Sequence, residues 1–170
     1  MGETPEDMQH LQQLLDRGIE QAGPFLRTSF QMPSCSLSAA QLTRYLQGIQ
    51  TVALATVTAK GEPRVAPIGA LFYRGRFYIP TVATAARTRH VLQRPAVSLT
   101  HFVGNDLAIL VHGRATVLTP EVPEFESLEA MHRASSTDGT SARDWGEGVY
   151  LRIEADQVYT FPRHPERYSE

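Results

Sequence analysis

The residues best suited to chemistry crowd into one short stretch. Thr81 closes the run Phe77–Pro80, and Val82, Ala83, Thr84, Ala85 and Ala86 lead from it to Arg87, Thr88, Arg89 and His90. The pattern predicts a strand ending in threonine, a turn, and a helix whose first part carries two arginines. A helix start presents unpaired N–H groups and the positive end of a dipole. An arginine there adds a forked donor that matches phosphate. Arg64, on a neighbouring hairpin strand, can aim at the same place. Together these residues would make a phosphate cradle without a glycine-rich loop. The plainer alternative is that Arg87 and Arg89 are solvated helix residues, and spacing alone does not choose between the two.

Around this stretch the hydrophobic period switches between helical and extended values. Thr4-Pro5 with Asp7 signals a helix start, and Met8, Leu11, Leu15, Ile19 and Ala22 share one helical face until Gly23-Pro24. Residues 24–37 read as an irregular connection. Ser38 with Gln41 forms a capping box, Leu37 with Leu42 a hydrophobic staple, and Gly48 a C-cap. Then the period becomes two. Thr51–Thr58 and Arg64–Tyr73 form a hairpin about Ala59–Glu62, and Arg74-Gly75-Arg76 turns into Phe77–Thr81. Pro63 and Pro67 confine their strand to an edge, a bulge or a bend.

Ala83–Arg94 is predicted as a short helix ending before Pro95. Strands follow at Ala96–Phe102 and Leu107–Leu118, a helix at Pro120–Ser135, a polar loop from Ser136 to Gly148, and strands at Val149–Glu154 and Gln157–Phe161. Antiparallel hairpins interrupted by single helices exclude a βαβ sheet and suit a closed or half-closed barrel, which removes exposed edges. The chain divides into an N-terminal helix with its connecting segment, residues 1–37, and a barrel domain, residues 38–170, within one structural domain.

Composition narrows the chemistry. The chain has 170 residues, 42% hydrophobic and 20% charged, with net charge -2, so no global field draws nucleic acid or an anionic membrane. Any anion site must be local. Cys35 is the single cysteine, which forbids an internal disulfide; with Pro33, Ser34 and Ser36 around it, it reads as an incidental thiol. There is no signal-peptide pattern and no apolar run approaching a membrane span, so a cytoplasmic protein is expected. Gly146-Glu147-Gly148 lacks the third glycine of a dinucleotide fingerprint, and no Walker A or Gly-x-Ser-x-Gly sequence occurs. The histidines form no metal-ligand spacing, so no metal is expected.

From Thr51 to Leu118 the chain resembles the pyridoxamine 5'-phosphate oxidase-like family of flavin-binding split barrels. The pieces are ATVTAKGEPRVAPI, FYIPT, ARTRHVLQRPAVSL and VHGRATVL, in the family's order. The resemblance implies a mainly β fold with α elements, an antiparallel split β-barrel with peripheral helices and an N-terminal helical extension. It implies FMN at the interface of a homodimer, with the phosphate held by Arg64, Thr81, Arg87 and Arg89. Their neighbours Val65, Ala66, Pro80 and Thr88 complete that cradle.

This sequence departs from the family in several places. Arg87 stands where the family usually has lysine, Ala85 where it often has serine, and Ile68 and Gly69 where true oxidases place a second basic residue. No Arg-x-His occurs, so the substrate of true pyridoxamine phosphate oxidases does not carry over. Some relatives bind the deazaflavin coenzyme F-420, with Lys-x-Arg at the helix start, and Arg87-Thr88-Arg89 resembles that too. Others bind haem or store flavin. FMN is the favoured reading and coenzyme F-420 the alternative. The expected function is a flavin-dependent oxidoreductase acting on a small molecule, with no acid or base named for it; the alternatives are a deazaflavin-dependent reductase or a flavin- or haem-binding protein without turnover of its own.

Further residues admit two readings each. His101 would flank the flavin ring or pack, and Trp145 would cap the flavin from the other subunit or pack. His112 reads as structural. Phe125, Leu128 and Met131 form a core or dimer stripe. The opening helix is a barrel lid or a dimer brace.

Overall fold

The computed structural model describes residues 2–136 and 146–170. Three helices come first: α1 (Pro5–Gln21), α2 (Pro24–Ser29) and α3 (Ala39–Tyr45). Three strands follow, β1 (Gln50–Val57), β2 (Pro63–Tyr73) and β3 (Arg76–Val82). Then come α4 (Ala86–Gln93), β4 (Ala96–Val103), β5 (Leu107–Leu118), α5 (Glu124–Ser135) and β6 (Gly148–Pro162). The strands close into an antiparallel barrel in the order β1-β2-β3-β6-β5-β4.

Alternation along each strand sorts side chains between the barrel interior and the outside. Val52 and Leu54 of β1, Ala70 and Phe72 of β2, Phe77 and Ile79 of β3, and Leu107, Ile109 and Val111 of β5 face inward. Leu11, Leu14 and Leu15 of α1 and Leu42 of α3 join the same core, so the opening helices stopper the barrel. Gly18 allows this approach, because a Cβ there would strike the Val158 carbonyl. A second, outer core lies under α5: Phe125 and Leu128 pack with Leu71, Tyr73, Tyr78 and Tyr150. Burial there, together with the charge of Glu124, pushes the Tyr78 phenol up to about 12.

Two sequence expectations change. Residues 24–29 form the short helix α2 rather than an irregular connection. Pro24 fits its first position, and the Arg27 guanidinium folds back onto the carbonyls of Ile19 and Ala22 at 2.7 and 3.0 Å, closing the end of α1. The two last strands are one strand, β6. What looks like a turn at Ala155-Asp156 is a bulge, where the pairing shifts from His112↔Gln157 to Gly113↔Ala155. Gly113 tolerates it, since a Cβ there would collide with the Glu154 carbonyl.

The β2–β3 ladder holds only Leu71↔Tyr78, Phe72↔Phe77 and Tyr73↔Arg76. Beyond them β2 pairs with β1 from Gln50↔Ala70 to Val57↔Pro63, while β3 pairs with β6. The barrel is therefore split between the first half of β2 and the last half of β3. Pro67 is tolerated for this reason: it pairs only toward β1, opposite Ala53.

Candidate functional site

The split places Arg64 and Thr81 on strands that have parted, and α4 follows directly from β3. Thr81 is 7% exposed, with its side chain on the inward face of β3. Arg87 Nη1 donates to Thr81 Oγ1 at 3.0 Å. Thr88 is buried and donates its hydroxyl to the Val82 carbonyl at 2.8 Å, which fastens the first turn of α4 to the end of β3. Arg89 Nη1 donates to the Thr84 carbonyl at 2.8 Å and holds the connecting turn. The N-cap of α4 is Ala85, which has no side chain to bond the first N–H groups.

Arg64 lies opposite Thr56 in the β1–β2 ladder, and residues directly opposite share a face. Its guanidinium meets Glu62 Oε2 at 2.7 Å, with side chains 58% and 51% exposed. An ion pair so exposed contributes at most about 1 kcal/mol, so the guanidinium is free to be recruited by a stronger anion. Ala66 shares the inward face with Arg64, opposite Leu54. Val65 turns outward opposite Ala55 and is 70% exposed, and Pro80 lies outward opposite Tyr150.

The structure thus gathers Thr81, Arg87, Thr88 and Arg89 at one helix start and sets Arg64 and Ala66 on the neighbouring strand. Val65 and Pro80 face the other way. Two residues to which the sequence reading gave no role belong to the group. Thr56, buried in the barrel mouth, shares a hydrogen bond of 2.8 Å with His90 Nδ1 of α4. His90 stands one turn beyond Arg87, on the same side of the helix. That spacing was the available signal for His90; Thr56 carried none beyond its inward parity on the strand.

His101 lies elsewhere. Its side chain points into the barrel and is 7% exposed, with Nε2 2.8 Å from the Tyr45 hydroxyl and Nδ1 2.9 Å from the Thr51 carbonyl. A carbonyl only accepts, so Nδ1 carries the proton and Nε2 takes the Tyr45 O–H. Burial, and then the neighbouring Tyr168, raise the Tyr45 phenol, which keeps that donor protonated. His101 is a core histidine with both nitrogens used, not an open ring-stacking surface. His112 bonds Ser98 at 2.7 Å between neighbouring strands, consistent with a structural role. Trp145 lies outside the described residues.

The donors at the α4 start fit a phosphate monoester. A guanidinium, a hydroxyl and N–H groups with no side-chain cap converge there, and the first contribution to such a site is a charge-assisted bond. A sequence profile described as pyridoxamine 5'-phosphate oxidase matches residues 39–161. The chain belongs to that family. Proteins with solved structures share its fold at low identity. A conserved hypothetical protein of Mycobacterium tuberculosis superposes with a TM-score of 0.66 at 17% identity, covering 81% of this chain and 92% of its own. An FAD-binding protein of Mesorhizobium loti gives 0.57 at 22%, covering 74% and 93%. An F-420 reductase gives 0.52 at 16%, covering 66% and 91%. No curated protein matches the chain by sequence. The fold is thus the split barrel that the resemblance implied. Among the described residues no helix is long and apolar enough to cross a membrane.

Proposed function

We propose that the chain binds FMN by its phosphate at the start of α4 and serves as a flavin-dependent oxidoreductase on a small molecule. The observation that carries this reading is Arg87 held on Thr81 beside a helix start without a side-chain cap. Arg87 and Thr81 bind the phosphate, Arg64 leaves Glu62 to join them, and Thr88 and Arg89 hold the turn in shape. Thr56, through His90, keeps α4 seated against β1. When bound, a flavin supplies hydride transfer, and the protein supplies binding, orientation and the exclusion of water. An FAD-binding protein and an F-420 reductase of the same fold support a flavin-type ligand. FMN is preferred over coenzyme F-420 because Arg89 is already engaged with Thr84 rather than extending a basic groove beyond the phosphate.

The working unit is a homodimer. The outward face of β1 and the first half of β2 carries Thr51, Ala53, Ala55, Val65 and Pro67, none of them charged, and Phe102 of β4 is 61% exposed. An uncharged sheet face of this kind suits a second copy related by a two-fold axis. A lone cysteine suits a reducing compartment such as the cytoplasm.

The test is titration of the stripped protein with FMN and with coenzyme F-420, followed by fluorescence, with light scattering of the FMN-loaded form. Saturable FMN binding and a mass twice the 18.9 kDa of one chain are expected. Deazaflavin binding more than about tenfold tighter than FMN, about 1.4 kcal/mol, would reassign the cofactor.

A further inference from the structure

The barrel has a second concavity, at the end away from α4. Thr56, beside α4, sits at the same end of the sheet as Ser98, whereas the β4–β5 turn at Gly104-Asn105 closes the opposite end. There a cavity of about 530 Å³ is lined by Phe30, Cys35, Asn105, Phe161 and Arg163, among others. Small-molecule sites usually measure about 300–1,000 Å³. One wall, residues 29–35, precedes the span 39–161 that the family profile matches, so the family's barrel alone does not make this cavity.

We infer that this cavity binds a small planar aromatic carboxylate. The rings of Phe30 and Phe161 stack at 4.2 Å and 30°, and Tyr159 lies parallel to Phe161 at 6.2 Å and 6°. Of these, Phe30 and Phe161 line the cavity, and the Phe30 ring, 40% exposed, offers a flat apolar surface on which offset stacking selects a planar partner. The lining holds one guanidinium and no carboxylate. Arg163 is anchored by its backbone N–H, which donates to the Asp106 carbonyl at 2.8 Å. Its guanidinium has no hydrogen bond or ion pair among the described residues. An arginine anchored through its backbone, with an unengaged fork beside a flat apolar wall, suits an anion carried on a ring. The amides of Gln31 and Asn105 line the same space and can bond the second carboxylate oxygen.

Cys35 lies in the lining and is the single cysteine of the chain, so its thiol reports occupancy. The experiment measures its reaction with an aromatic disulfide reagent in the FMN-loaded protein, with naphthoate added as probe. Saturable slowing is expected. Arg163→Gln should weaken that protection about tenfold, and Phe30→Ala should weaken it as well, with circular dichroism unchanged in both. Arg87→Ala should leave it alone, which keeps this site's success or failure separate from that of the flavin cradle. Three results would each overturn the inference: no slowing at millimolar naphthoate, undiminished protection in Arg163→Gln, or equal protection by the neutral naphthalene carboxamide.

Discussion

Two short helices of this protein begin in opposite ways. At α3, Ser38 accepts from the Gln41 N–H at 3.2 Å and Gln41 Oε1 accepts from the Ser38 N–H at 2.9 Å, so the start is closed by its own side chains. At α4 the N-cap is Ala85 and nothing of the kind exists. Instead the side chains of Arg87, Thr88 and Arg89 reach back to Thr81, Val82 and Thr84. The first helix is capped for stability and inserts Leu42 fully into the core. The second is held in place by its own polar side chains and leaves its first N–H groups for something else. A capped end is finished; the uncapped end beside Arg87 and Thr81 is where the proposed phosphate would bind.

That contrast can be broken in three ways. The largest effect is expected in the core. Leu42→Ala should cost about 2–5 kcal/mol in urea unfolding, more than Val91→Ala on α4, because it deletes more buried volume from the stopper of the barrel. The reverse order would mean that α4, not α3, anchors the fold.

Next comes function. Arg87→Ala should weaken FMN at least about tenfold, about 1.4 kcal/mol, while barely moving the unfolding midpoint. Ser38→Ala should do the opposite, costing about 1 kcal/mol of stability with FMN affinity unchanged. Fluorescence titration and denaturation on the same two variants decide the matter; FMN affinity equal to that of the unchanged protein in Arg87→Ala would remove that residue from the cradle.

The smallest effect concerns pH. The start of α1 is closed by Thr4 and Asp7. Burial pushes the Asp7 carboxyl upward, but the bonds from the Thr4 N–H and hydroxyl, with Arg74 and Arg76 nearby, outweigh it and hold the group below its ordinary value. Its stabilising contribution is therefore present above the unfolded carboxylate value and fades as pH falls through the folded one. Amide protection in the first turn of α1 should drop on acidification before protection in α4 does, since α4 has no acidic residue in its first turn.

The local devices were legible in the chain because they are short-range. Thr4 with Asp7, Ser38 with Gln41 and the hairpin turns depend on residues a few positions apart. The strands of the barrel were legible through their period, and the cluster from Thr81 to Arg89 through its charge. Helix α2 was missed because six residues after a proline give too little periodicity. The bulge at Asp156 was missed because Gly113, which permits it, lies more than forty residues earlier. His101 stayed open between two readings in the sequence because the groups that enclose it, Tyr45 and the Thr51 carbonyl, come from distant elements.

By itself, then, the sequence determined which segments would be helix or strand, and that an anion could be met only locally, because propensity, caps and charge act between near neighbours. The tertiary structure alone decided that β2 and β3 pair briefly and then part, that α4 is tied across to Thr56 through His90, and that Phe30 meets Phe161 beside Arg163. Each of these depends on strand register and on the approach of segments far apart in the chain, and register is set by how the whole barrel closes around its core.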